Sequence, residues 1–162
     1  MMTNSEQWMV SYQERVNSIL DDFLPKEKTK LVEAMRYSVL NGGKRLRPIL
    51  VYLASGLGEA SREAQDSIAG SIELIHCYSL IHYDLPAMDD DALRRGKPTC
   101  HKEFGEDIAI LAGDAIQPLA YSLITDCLSI EESKKVLETI INSDEDNEDA
   151  EPEAEEVEEE RE

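Results

Sequence analysis

Two segments of this chain are apolar almost all the way round a helix, and that limits the possible folds more than any other feature. From Ser61 to Asp84 the apolar residues Ile68, Ala69, Ile72, Leu74, Ile75, Leu80 and Ile81 cover most of a helical circumference, and Asp107–Leu128 behaves alike. A helix of that kind has little face to give to water, so it must lie among other helices. The remaining chain supplies the outer layer. Residues 6–23 place Trp8, Met9, Tyr12, Val16, Ile19, Leu20 and Phe23 at helical spacing before Pro25. Lys26–Leu40 carries Leu31, Met35 and Val39 on one stripe and ends at Asn41-Gly42-Gly43, where the backbone can turn left-handed. Pro48 then opens a further apolar helix through Ile49–Leu57. A polar loop at Arg94–Lys102 precedes the second central helix, which Gly113-Asp114 and Gln117-Pro118 are expected to interrupt. No alternating strand pattern bounded by hairpin turns occurs, so the chain is expected to be all-α.

Charge divides the chain unevenly. Of its 35 acids and 16 bases, 13 acids and one base lie between Asp144 and Glu162, so that −12 of the formal −19 sits there. Residues 143–162, with Val157 as the one strong apolar side chain, are predicted to form a disordered acidic tail, either plain solvated charge or an acidic interaction arm. Residues 1–142 make the folded part. The negative balance excludes a nucleic-acid binder, which needs a basic face. In the second central segment the longest unbroken apolar run, Ile108–Ala112, falls far short of the ~20 residues of a membrane span. The N-terminus lacks the basic-then-apolar pattern of a secretory leader. Cys77, Cys100 and Cys127 are widely spaced with no C-x-x-C, which reads as reduced thiols and a cytoplasmic location.

Two charged stretches adjoin the apolar helices. Asn41–Pro48 (N-G-G-K-R-L-R-P) puts Lys44, Arg45 and Arg47 directly after a flexible glycine pair. Tyr83–Gly96 (Y-D-L-P-A-M-D-D-D-A-L-R-R-G) sets Asp84, Asp89, Asp90 and Asp91 just before Arg94 and Arg95. Mg²⁺ prefers carboxylate oxygens and commonly bridges to substrate phosphates, and arginine grips phosphate through its fork of donors. Carboxylates for a metal beside cations for phosphate suit a diphosphate ester better than a hydrolytic triad. A solvated loop of compensating charges is the other reading.

Several longer strings decide between them. Gly42-Gly43-Lys44-Arg45-Leu46-Arg47-Pro48, then Glu73–His82, Asp84–Met88 with its acidic run, Arg94–Thr99 and Leu111-Ala112-Gly113-Asp114 follow one another in order. Over roughly residues 35–125 the chain resembles the N-terminal half of a trans-isoprenyl diphosphate synthase (polyprenyl synthetase), most like the bacterial farnesyl diphosphate type. The resemblance implies a partial isoprenoid-synthase helical bundle around a deep cavity. It implies a Mg²⁺-dependent condensation of isopentenyl diphosphate with an allylic diphosphate, through an allylic carbocation. Residue by residue, it makes Lys44, Arg47, His76 and Arg95 contacts to isopentenyl diphosphate and Arg94 a contact to the allylic diphosphate. Asp84 and Asp89 fall in its first aspartate-rich motif as candidate metal ligands. Tyr78, five residues before that motif, corresponds to an aromatic that goes with a C15 product, or else is a core tyrosine. His76 and His82 are six apart, off the i,i+4 spacing of a helical metal pair.

Two departures stand out. The family motif opens Asp-Asp-Leu-Pro-Ala-Met-Asp, whereas Tyr83 here replaces its first metal-binding aspartate, and a neutral phenol is a poor Mg²⁺ ligand. Ala92 also stands where a fourth consecutive aspartate is usual. Beyond Thr125 no second aspartate-rich cluster set in an apolar helix follows. The expectation is therefore a truncated, catalytically impaired relative with an apolar patch that calls for a homodimer or a full-length synthase as partner. The alternative is a non-catalytic binding or regulatory partner of such a synthase.

Overall fold

The computed structural model describes residues 4–145, and they fall into two compact units that divide after Leu128. The first contains α1 (Asn4–Phe23), α2 (Lys30–Leu40), α3 (Leu46–Ser55), α4 (Arg62–Tyr83), a ribbon of β1 (Leu93–Arg94) and β2 (Lys97–Pro98), α5 (Cys100–Phe104) and α6 (Glu106–Cys127). The all-α expectation holds, apart from that two-residue ribbon inside the segment read as a plain loop.

α4 and α6 pack against each other more extensively than any other pair, with α3 and α1 against α4 and with α2 and α5 against α6. α6 buries a stripe of Ala109, Ala112, Gly113, Ile116, Ala120 and Ile124 at i,i+3/i+4 spacing. The expected breaks do not occur. Gly113 is helical because the His82 ring from α4 occupies the space where a Cβ would stand, so the glycine permits close approach of the two helices. Pro118 lies inside the helix, where its missing N–H removes one i→i−4 bond without ending the element. By length and composition α6 could cross a membrane, with a mean hydropathy of 1.4, contrary to what its interrupted apolar runs suggest. A third of that apolar stretch is buried, on the side packed against α2, α4 and α5, while Ile110 and Leu111 are exposed. A side chain at Gly113 has to displace the tip of His82, and the overpacking cost of about 1–3 kcal/mol is partly offset by the roughly 1 kcal/mol that alanine gains over glycine inside a helix, so Gly113→Ala is expected to destabilise by up to about 2 kcal/mol. Urea unfolding measures this, and a raised midpoint would show that the ring moves aside freely.

The helix starts follow local capping chemistry. α2 begins at Lys30 and not Lys26 because Thr29 Oγ1 accepts from Val32 N at 3.2 Å. Ser61 Oγ likewise accepts from Ala64 N at 3.1 Å to open α4. α3 starts three residues before Ile49, with Pro48 in its first turn, where the missing N–H would have had no intrahelical acceptor. Tyr12, Val16 and Leu20 of α1 face the core, and the Phe23 ring packs on Gly70 of α4. Cys77 and Cys100 are buried and Cys127 half-buried, all unpaired. Burial, chiefly, pushes the Cys77 thiol up to about 12.

Not all apolar surface is covered. Leu46, Leu50 and Leu53 of α3 are 51%, 63% and 46% exposed, and Leu57 just beyond is 93% exposed. Their 4-3-4 spacing forms one continuous stripe. The second unit contains α7 (Ile130–Glu145), a helix the sequence reading did not expect. It opens with a capping box, in which Glu132 accepts from Ser129 N at 3.0 Å and Ser129 Oγ accepts from Glu132 N at 3.4 Å. The helix runs past the 142/143 boundary, and the acidic tail from 146 onward lies outside the described residues.

Candidate functional site

The basic residues of the two charged stretches converge from separate parts of the chain. Between α2 and α3 the backbone turns through Gly42 (φ 72°), Gly43 (φ 127°) and Arg45 (φ 52°), all left-handed. Of the three basic residues there, Lys44 and Arg47 are exposed and Arg45 is buried. The Arg45 guanidinium donates to Glu73 Oε1 (2.6 Å), to Val39 O (2.8 Å) and to Asn17 Oδ1 (3.0 Å). Glu73 stands on α4 one turn before His76. On the other side, Arg95 (φ 53°) and Gly96 (φ 78°) form the two-residue turn between β1 and β2, the primed geometry a tight hairpin requires. That turn carries Arg95 back to the glycine loop. Its Nη1 donates to Gly42 O, and its Cζ lies 2.7 Å from where a Cβ on Gly43 would be.

His76 registers this gathering of charge. Burial lowers its pKa first, Arg47 lowers it next, Glu73 opposes them, and Arg95 and Arg94 lower it further. The imidazole therefore feels the positive charge of Arg47, in the first turn of α3, and of Arg94 and Arg95 on the hairpin. Such a cluster is suited to an anion with several oxygens.

The acidic stretch does not assemble in the same way. Asp84 is 2% exposed, and both its oxygens accept from Arg94, Nε at 3.0 and 2.8 Å and Nη2 at 2.5 Å. The Asp84 bond, first, raises the Arg94 pKa. Beside the pair is a water-sized cavity of about 30 Å³ that Tyr37, Ser38, Asn41 and Arg95 also border. Asp89, Asp90 and Asp91 are exposed, and Asp90 Oδ1 pairs with Lys102 Nζ at 3.2 Å. Tyr83 is 49% exposed and helps line a separate, largely apolar cavity of about 430 Å³ with Tyr78, His82, Leu85, Met88 and Ile110.

Mg²⁺ keeps several waters and is held by one or two carboxylates together with substrate phosphates. Here a metal at Asp84 would have to share both oxygens with Arg94, and Tyr83 brings a phenol. Among the described residues no three His, Cys, Asp or Glu side chains gather as a metal site. Asp84 as arranged, held by Arg94, and Tyr83 do not suit the ion, whereas exposed Asp89 keeps a free carboxylate and the guanidinium groups carry the charge that an anion of several oxygens requires.

Comparison with known proteins places this arrangement. The profile of the polyprenyl synthetase family matches residues 28–155, most of the chain. The chain belongs to the polyprenyl synthetase family. Farnesyl diphosphate synthase of Escherichia coli is 58% identical over 103 residues, covering 64% of this chain and 34% of that protein. The large subunit 1 of a heterodimeric geranylgeranyl pyrophosphate synthase from Arabidopsis thaliana is 48% identical over 123 residues, covering 75% of this chain and 33% of that protein. An FPP/GFPP synthase of Zymomonas mobilis superposes with a TM-score of 0.79 at 38% identity, across 86% of this chain and 52% of that one. The chain thus spans about a third of these two curated polyprenyl synthetase relatives and about half of the solved one. Its helical bundle is that of the family.

Sequence reasoning missed the Arg45–Glu73 pair, having placed Arg45 with the other cations. The available signal was Glu73, the one acid in the apolar stretch from Ile68 to Ile81, which has to find a cation once buried.

Proposed function

We propose that this chain carries the diphosphate-binding part of an isoprenyl diphosphate synthase-type site and binds isopentenyl diphosphate through Lys44, Arg47, His76 and Arg95. The observation that supports it is the contact of Arg95 with the Gly42-Gly43 loop, which brings the cations of the two charged stretches to one place, where Arg47 and Arg95 both act to lower the pKa of the half-buried His76. The family reaction joins isopentenyl diphosphate to an allylic diphosphate and gives a farnesyl-type product in isoprenoid biosynthesis. Here it is impaired, because Tyr83 replaces a metal ligand and Asp84 is held by Arg94. The cavity that Tyr78 and Tyr83 border is where an apolar prenyl tail would lie. The unpaired cysteines favour the cytoplasm.

Calorimetry with isopentenyl diphosphate tests the reading. An anion beside His76 reverses the local field and favours the imidazolium, so binding near neutral pH should take up a proton. The heat should then depend on the ionisation enthalpy of the buffer more for the wild type than for His76→Gln. Absence of binding heat rules the proposal out, and equal buffer dependence removes His76 from the site.

A second reading is favoured by one feature. The leucine stripe Leu46-Leu50-Leu53-Leu57 suits association with another polypeptide, whether a second copy or a full-length synthase that this chain would modulate. The Arabidopsis relative is itself named as one subunit of a heterodimer.

A further inference from the structure

Arg45 sits between two residues proposed to bind diphosphate yet faces away from solvent. Its side chain joins three elements at once: Asn17 of α1, the Val39 carbonyl near the end of α2, and Glu73 of α4. The side chains of both Arg45 and Glu73 are almost fully buried, at 0% and 3% exposed. The loop it anchors is otherwise held at its exposed face, by Arg95 on the Gly42 carbonyl and by Gln13 Nε2 on the Lys44 carbonyl at 3.1 Å, and Gly42 and Gly43 have the widest backbone freedom of any residue type. Arg45 itself holds a left-handed backbone, which costs a residue with a Cβ about 1–2 kcal/mol. A buried ion pair is poor evidence for net stability, because desolvation offsets its attraction, and the better-attested use of such a pair is to specify register.

The register in question is visible. Lys44 precedes Arg45 on the loop and Arg47 follows it in the first turn of α3, and His76 follows Glu73 by one helical turn on α4. Fixing Arg45 to Glu73 therefore fixes two cations relative to the imidazole. From this geometry we propose that Arg45, through Glu73 and Asn17, is a positioning residue that sets Lys44 and Arg47 against His76 for diphosphate binding. This rests on the diphosphate reading above. A lysine cannot take the role, because one ammonium lacks the planar fork that reaches three separated acceptors.

The test separates position from stability. The double variant Arg45→Met/Glu73→Leu removes both charges and keeps the volume, so the loss of stability should be confined to about 1–3 kcal/mol for the Val39 carbonyl left without its donor, and the fold should persist at the assay temperature. Inorganic diphosphate, titrated calorimetrically into the full chain, should bind the double variant about tenfold more weakly, because the cations are no longer preorganised. Arg45→Lys should fail to restore the affinity. Asn17→Ala leaves the ion pair in place and removes one acceptor. It should weaken binding a few-fold, and it decides the matter if the double variant melts below the assay temperature. Wild-type affinity in a folded double variant, or in Asn17→Ala should the double variant not fold, overturns the assignment. No binding by the wild type would instead remove the diphosphate reading, and this assignment with it.

Discussion

Arg94→Ala is expected to destabilise the fold by about 3 kcal/mol at neutral pH, the low end of the cost of stranding a buried charge. The reasoning turns on the asymmetry of the pair. Asp84 is nearly fully enclosed, with its side chain 4% exposed, whereas the Arg94 side chain is 32% exposed. Removing the guanidinium leaves a desolvated carboxylate with its two charge-assisted partners gone. Removing the carboxylate by Asp84→Asn leaves a cation that still reaches water and Asp91, whose Oδ2 is 3.7 Å from Arg94 Nη2. Urea denaturation should therefore show Arg94→Ala to be the more damaging change. Equal losses for the two variants would mean that the pair is solvated. The same variant bears on the metal, since it frees Asp84 from its guanidinium. If Arg94 alone kept Mg²⁺ away, calorimetry on a folded Arg94→Ala chain would detect the ion, but with Tyr83 still in place we expect none.

Much of the architecture was legible from residue spacing, and the failures share a cause. The two central helices followed from apolar residues on every side, since a long run of that kind has one stable placement. Their boundaries depended on single side-chain hydrogen bonds instead. Thr29 and Ser61 decide where α2 and α4 begin, and periodicity cannot see them. α7 was signalled by Ser129-Ile130-Glu131-Glu132, a capping box hidden by the acidic composition that follows. Gly113 and Pro118 suggested breaks because breaking is their intrinsic preference, and a tertiary contact with His82 overrode the first. The β1–β2 ribbon was too short to show any alternation. At the site, the string N-G-G-K-R-L-R-P disclosed cations but not which of them faces inward. Burial separates Arg45 from Lys44 and Arg47, and that depends on Glu73, 28 residues away. Likewise the acidic run announced carboxylates, while Arg94 decides that Asp84 is enclosed.

Arg47→Ala is expected to weaken diphosphate binding about 10- to 100-fold, the loss of a charge-assisted hydrogen bond worth about 1.5–3 kcal/mol. Arg47→Lys should recover only part of it, because a single ammonium replaces a bidentate fork. Arg47 also acts on the protein without ligand. After burial it does most to lower the His76 pKa, so the folded state binds fewer protons than the unfolded chain as pH drops through the ordinary imidazole range. Stability contributed by neutral His76 is thus present above that range and is lost as pH falls toward the lowered folded value. Taking away Arg47 moves the His76 titration upward, toward its ordinary value, and flattens the stability profile between those limits. NMR of the imidazole and denaturation at several pH values read the two effects independently of any ligand. A His76 titration unchanged by Arg47→Ala would mean that the loop does not hold this cation near α4, and diphosphate affinity should then be unaffected too. The two measurements stand or fall together because the charge of Arg47 acting at His76 underlies both.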